Sequence, residues 1–289
     1  MTGVVMVTGA SGALGRQVVE FLLERLPPDR VAALARRPES LDDLARRGVS
    51  VRGGDYHDPE RLEPAFHGVD KLLLVSATAF TDAQAAHRGV IHAARAAGVR
   101  HLHYTAIQRR PGSSFTIAQV TDWDADAEKE LVGSGLAATV LRNTMYLDSV
   151  DDLIGDLSPD RVIRVPAGHA RAALATRRDI AAATAAVLAT DGHEGRTYTL
   201  AGTSAVSLDH VAAALGEVTG APVTYEDTPV ASYVAARVVA GMPEPVARFT
   251  ADWFQAIAAG EFAAPGDIEP LTGRPPTPLA TFLAQRHSG

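Results

Sequence analysis

The residues best suited to chemistry stand near the start of the chain. Thr8-Gly9-Ala10-Ser11-Gly12-Ala13-Leu14-Gly15 follows a short β-branched run and opens a long stretch of apolar periodicity. Glycines in that spacing let the chain turn tightly, let a pyrophosphate approach the backbone and let a helix lie close on a strand, while amides at the helix start meet the phosphate charge. Ordinary glycine turns share the spacing; the strand before it and the helix after it favour dinucleotide binding. At the end of the second apolar run the chain reads Leu34-Ala35-Arg36-Arg37-Pro38. An acidic residue there holds a ribose 2′-hydroxyl, whereas a guanidinium grips a 2′-phosphate through parallel hydrogen bonds. Arg36 and Arg37 therefore favour NADP(H), against the alternative of two solvated surface arginines. Asp55, in Gly53-Gly54-Asp55-Tyr56, is placed to accept from an adenine amino group or else to form a loop turn. Ser76 and Ala77 end the fourth strand and Thr105 follows the fifth, at the edge where such sheets bind ligands.

The chemistry that is missing narrows the reaction. Reduction of an isolated carbonyl needs a proton donor, commonly a tyrosine whose pKa is lowered by a lysine one helical turn later. The lysines here are Lys71 and Lys129, and the corresponding positions after Tyr104 and Tyr146 hold Gln108 and Val150. A quinone, an extended enone or a cationic dye manages without such a donor, because the hydride equivalent ends on a delocalised system that water protonates later. The expected reaction is thus hydride transfer from NADPH to a small conjugated acceptor, driven by proximity and orientation. Phe80, Phe115, Met145 and Tyr146 are the pocket candidates, each with ordinary core packing as its equal alternative. Asn143 and Tyr146 are the orienting donors, and Asp124 acts as acid or base only if burial raises its pKa.

Other patterns lead nowhere. Asp122, Asp124 and Asp126 resemble the opening of a calcium loop, but Ala127 and Gly133 occupy the positions that need Gly and Glu; acids in a first helical turn account for them. His101 and His103 project to one face of a strand without a third ligand nearby, so no metal is expected.

These residues need a frame, and the alternation of short β-branched runs with amphipathic stretches supplies one: an α/β, Rossmann-type, doubly wound parallel sheet. Strands are expected at residues 4–7, 31–35, 50–52, 72–75, 100–104 and 137–141, with helices at 12–26, 41–47, 59–66, 82–97 and about 125–132. Beyond Arg142 the pattern loosens into strands at 162–165 and 197–200 and helices at 179–188, 208–215, 232–239, 246–259 and a last one through Gln285. The expected organisation is a cofactor-binding domain over 1–142 and a smaller, mostly helical substrate lobe over 143–289, with 176–200 returning to the first domain. With 289 residues the chain can bury a large core. Its net charge of −7 disfavours nucleic acid, and the absence of cysteine removes disulfides and thiolate chemistry. No apolar run is long enough for a bilayer, so no membrane association and a cytoplasmic location are expected; a homodimer is left open.

The chain resembles the atypical short-chain dehydrogenase/reductase superfamily and, within it, the NmrA-like group that includes NADPH:quinone oxidoreductases and triphenylmethane reductases. The resemblance runs over most of the length. It is carried by the stretch from Val7 to Gly15, by Ala33-Leu34-Ala35-Arg36, Gly54-Asp55-Tyr56, Lys71-Leu72-Leu73-Leu74-Val75-Ser76 and Tyr104-Thr105-Ala106-Ile107, then by Glu128-Lys129-Glu130-Leu131, Leu141-Arg142-Asn143-Thr144-Met145-Tyr146 and Arg178-Asp179-Ile180-Ala181. It implies that Arg36 holds the 2′-phosphate, that Asp55 with Tyr56 holds the adenine, and that Asn143 and Tyr146 border the nicotinamide and substrate. The chain departs from quinone reductases at Ala106, where a serine is frequent, and at Asp124, where a histidine is. Some proteins of the group bind the dinucleotide only to regulate a partner, and an NADP(H) sensor is the alternative to a reductase; an epimerase or dehydratase is a weaker third reading.

Overall fold

The computed structural model describes residues 3–76, 82–154 and 159–287. Its strands in chain order are β1 (Val4–Val7), β2 (Val31–Ala35), β3 (Ser50–Gly53), β4 (Val69–Leu74), β5 (His101–Ile107), β6 (Ala137–Asn143), β7 (Val162–Val165), β8 (Thr197–Leu200) and β9 (Thr224–Asp227). The helices are α1 (Ala13–Leu23), α2 (Asp42–Arg46), α3 (Pro59–Phe66), α4 (Ala83–Ala96), α5 (Thr121–Ser134), α6 (Leu147–Ile154), α7 (Arg177–Ala189), α8 (Leu208–Thr219), α9 (Val230–Val239), α10 (Glu244–Ala258), α11 (Ile268–Thr272) and α12 (Leu279–His287).

Seven strands form one sheet in the order β3-β2-β1-β4-β5-β6-β8, and β1 pairs in parallel with both β2 and β4. The chain thus winds outward in one direction from β1 through β3 and in the other from β4, and the carboxyl ends of β1 and β4 flank the point where the winding reverses. Ligands of such sheets bind at that point, because the loops leaving the two neighbouring strands diverge and open a crevice. The helices follow from the spacing of apolar residues. In α1, Leu14, Val18, Val19, Phe21 and Leu22 are buried, which is one helical face. The helix closes at Leu23 rather than Leu26, because Pro27 and Pro28 allow no further turn. On one face of the sheet, α3, α4 and α5 bury Leu62, Phe66, Val90, Ile91 and Leu131 against Met6, Leu72 and Leu102. Elsewhere α1 and α7 pack together, with the Arg178 guanidinium 5.1 Å from the centre of the Phe21 ring.

Two compact units divide the chain. The first comprises Met1–Ile107, Gln119–Arg142 and Arg177–Tyr198; the second comprises Gln108–Ala118, Asn143–Thr176 and Thr199–Gly289. The second unit is not purely helical. It contains a two-stranded parallel sheet in which β7 pairs with β9, Val162 opposite Thr224. β9 reads Thr-Tyr-Glu-Asp and is half or fully exposed, so no apolar run announced it. Among the described residues no helix is long and apolar enough to cross a membrane.

Candidate functional site

The turn after β1 is shaped by two glycines. Gly9 has a φ of 59°, in the left-handed region that side chains disfavour, and its carbonyl accepts from the Gly12 amide at 2.9 Å. Gly15 packs on the same carbonyl, where a Cβ would overlap backbone atoms of Gly9 and Ala10. α1 then starts at Ala13 with no side-chain cap and no carboxylate in its first turn, leaving its opening amides for an anion.

Around this turn lies a cleft of about 260 Å³, entirely within the first unit. Gly9, Ser11 and Gly12 form one part of its lining; Leu34, Ala35 and Arg36 come from the end of β2. Gly54, Asp55, Tyr56 and His57 come from the loop after β3, and Val75 and Ser76 from the end of β4. The structure therefore gathers seven of the expected cofactor residues, Gly9, Ser11, Gly12, Arg36, Asp55, Tyr56 and Ser76, at the carboxyl edges of β1 to β4, and adds His57, which the sequence reading did not single out. Its signal was present: it stands two residues after Asp55 on the same strand-to-helix loop.

Several expected residues support the cleft without lining it. Thr8 is fully buried, and its hydroxyl donates to the Leu73 carbonyl at 2.9 Å, accepts from the Val75 amide at 3.1 Å and meets the Tyr56 hydroxyl. It joins the ends of β1 and β4. Thr105, equally buried, accepts from the Ser76 amide at 2.8 Å and donates to the Ser76 hydroxyl at 3.2 Å, so it sets the end of β4 from the β5 side. Ala10, Leu14 and Gly15 are buried packing residues, Ala13 is exposed at the helix start, and Arg37 is exposed outside the cleft. Ala77 and Phe80 lie outside the described residues.

Charge in the cleft is arranged for a phosphate. Arg36 is exposed and makes no ion pair among the described residues, whereas Arg16 is bound to Asp43 and Glu20, and Arg47 to Glu20. Asp55 is held below the usual carboxylate range, first by the His57 backbone N–H and further by the His57 ring and the charge of Arg36, against some burial. The Tyr56 hydroxyl donates to the Val75 carbonyl at 3.0 Å, and burial pushes its pKa up, so this phenol stays neutral. These features fit a phosphorylated dinucleotide: backbone curvature without Cβ atoms for the pyrophosphate, an unpaired guanidinium for a 2′-phosphate and a carboxylate for the adenine.

Asp124 has a different task. It is buried at the start of α5 and accepts from the Tyr104 hydroxyl at 2.5 Å and from the Ile107 amide at 2.6 Å. The carboxylate fastens α5 to β5. In the second unit, Asn143 is buried and its Nδ2 donates to the Tyr146 hydroxyl at 3.2 Å. The Asn143 Oδ1 has no hydrogen-bond partner among the described residues. Met145 is 2% exposed and belongs to the core of that unit. Phe115 is half-buried on a loop fixed by Glu261, which accepts from the Arg110 amide at 2.8 Å and from the Ser113 hydroxyl.

A family model, described as the NmrA-like family, matches residues 1–282. The chain belongs to the NmrA-like family. This NmrA-like chain is 37% identical over 281 residues to quinone oxidoreductase 2 of Escherichia coli, covering 97% of each. It is similar to the crystal structure of an NADPH-dependent quinone oxidoreductase from E. coli complexed with NADPH, with a TM-score of 0.92 and 36% identity over 98% of this chain and 99% of that one. It is similar also to the Citrobacter sp. triphenylmethane reductase complexed with NADP(H), with a TM-score of 0.89, 33% identity and the same coverage.

Proposed function

We propose that the chain is a cytoplasmic NADPH-dependent reductase that reduces a flat conjugated small molecule, of the quinone or enone class, without a Tyr–Lys proton relay. The observation that carries this reading is the cleft that joins the Gly9–Gly12 turn to Arg36, a guanidinium with no ion pair among the described residues. Full-length similarity to proteins named as reductases favours turnover over sensing.

The amides of the glycine turn and of the opening turn of α1 hold the pyrophosphate, Arg36 holds the 2′-phosphate and Asp55 the adenine. When bound, NADPH supplies a hydride. Thr8, Thr105 and Tyr56 act by keeping the ends of β1, β4 and β5 in register, so that Gly9 and Ser76 present a fixed edge. Asn143, through its amide Nδ2, and Tyr146, through its hydroxyl, orient the acceptor as hydrogen-bond donors.

No side chain has to deliver a proton. Hydride addition to a quinone leaves a phenolate-like hydroquinone anion, with a conjugate acid near a tyrosine's pKa of about 10, and water protonates it. An isolated alkoxide is far more basic and needs a donor in place. The chain offers none of the usual kind: Lys71 is buried and bound to the Leu188 and Thr190 carbonyls and to Asp191, while Lys129 is exposed beside Asp126. Asp124 is occupied by two donors.

Purified protein with NADPH and a panel of quinones, enones and simple ketones tests the proposal. Conjugated acceptors should accelerate NADPH oxidation and saturated ketones should not. If NADPH binds and no acceptor raises its oxidation above the enzyme-free rate, the reductase reading falls.

A further inference from the structure

Beside Arg36, the cleft contains a second group able to meet a phosphate. His57 is on the loop after β3 and its side chain is 50% exposed in the cleft. Asp55 accepts from the His57 backbone N–H at 3.1 Å and lies 3.2 Å from the ring Nδ1. An ionised carboxylate can only accept, so Nδ1 carries the hydrogen and the ring is held with Nε2 as its open edge. With the imidazole neutral, Nε2 is an acceptor, suited to a hydroxyl or an amino group. With the imidazolium, Nε2–H is a donor, suited to a phosphate oxygen.

The net charge of the subsite changes in the same direction. Asp55 and Arg36 offset each other, and protonation of His57 adds one positive charge. A 2′-phosphate carries about −1.5 to −2 charges near neutral pH. Of the charges that follow on the same loop and helix, Asp58 pairs with Arg61 at 3.1 Å. α4 packs on the loop through Gly89, against Pro59 and the Tyr56 carbonyl, and among the described residues the ion pair of His57 is with Asp55 alone.

We infer that His57 is a second anion-binding residue of this cleft and makes the preference for a 2′-phosphorylated dinucleotide depend on pH. The inference rests on the NADP(H) reading above and adds a specificity residue to it. Binding of the phosphate then favours the imidazolium, so NADP+ binding takes up protons at His57, and NAD+ binding does not.

Calorimetric titration of the full chain with NADP+ and NAD+, repeated in buffers of different ionisation enthalpy, tests this without turnover. Relative to His57→Gln, the wild-type preference for NADP+ over NAD+ should grow about fivefold from about pH 8 to about pH 6, the gain of one exposed charge pair. The proton uptake on NADP+ binding should exceed that of the variant over the same range. Arg36→Ala is measured alongside. If Arg36→Ala loses the NADP+ preference while His57→Gln follows the wild-type pH profile and proton uptake, the role of His57 is overturned and the cofactor reading stands. If the wild type itself binds neither dinucleotide, or does not prefer NADP+, both are overturned.

Discussion

Gly15 on α1 lies directly against the carbonyl of Gly9, and the two are six residues apart across the cofactor turn. A Cβ at position 15 would overlap the Gly9 carbonyl oxygen and carbon and the Ala10 Cα, all backbone, so no side-chain rotation relieves it. Gly15→Ala should therefore push α1 away from the turn, cost about 1–3 kcal/mol of stability and weaken dinucleotide binding. Denaturant unfolding and calorimetry of the same preparation check both effects. An unchanged unfolding midpoint would contradict the close approach.

Arg36→Ala should lower NADPH affinity about tenfold or more, the loss of a charge-assisted hydrogen bond, and leave NADH affinity nearly constant. Because Arg36 is exposed and makes no ion pair among the described residues, stability should not change. Equal losses for both dinucleotides would mean that Arg36 does not reach the 2′-position.

At the start of β5, between β4 and β6, the buried His101 and His103 have rings stacked at 3.9 Å. The His101 Nε2 meets the Thr139 hydroxyl at 2.8 Å, and both ring nitrogens of His103 lack partners among the described residues. Burial lowers the pKa of His101 to about 4 and that of His103 well below its ordinary value; His87, buried on α4, falls to about 4. The folded state thus binds fewer protons than the unfolded chain. Stability should be level above about pH 7 and fall steadily from about pH 6.5 toward about pH 4, where the unfolded histidines charge and the folded ones do not. Thermal unfolding across that range measures the slope, and His103→Leu should make it shallower.

Lys71 crosses the interior of the sheet on β4, 1% exposed, and ends 3.0 Å from Asp191. It also donates to the Leu188 and Thr190 carbonyls at the end of α7. Removing a buried charge with its hydrogen bonds leaves those carbonyls unmatched, so Lys71→Ala should destabilise by about 3–5 kcal/mol. Lys71→Met keeps the volume and should cost less. Hydrogen exchange at residues 190–196 should rise in both.

Asn143→Leu should raise the KM for a quinone while leaving the Kd for NADPH unchanged, since Asn143 is assigned to the acceptor. Tyr146→Phe removes the partner of its Nδ2 while leaving the Asn143 amide in place, and should have the smaller effect. A parallel loss of NADPH binding would move Asn143 to the cofactor instead.

Much of the first unit could be read from local pattern. β2, α3 and β8 end where their periodicity and their Gly and Pro boundaries put them, because side-chain period and backbone stereochemistry act over neighbouring residues. The glycine spacing after β1 and the paired arginines after β2 announced a phosphorylated dinucleotide for the same reason: turn geometry and charge are properties of short segments. Where the pattern was polar, as in β9, local signal failed and pairing in the folded chain made the strand, whereas the apolar spacing of α6 is present in the sequence and the sequence reading did not single it out.

What the linear chain left open was the assignment of each polar group, since a hydroxyl or carboxylate takes its role from partners distant in sequence. Thr8 serves Leu73 and Val75, Thr105 serves Ser76 and Asp124 serves Tyr104, so two candidate cofactor residues and one candidate acid or base of the reading from sequence also fasten the sheet. Only the tertiary structure could separate Arg36, which has no ion pair among the described residues, from Arg16 and Arg47, which are neutralised. It also set His57 against Asp55 in the cleft, because the availability of a charge is decided by what folding brings beside it.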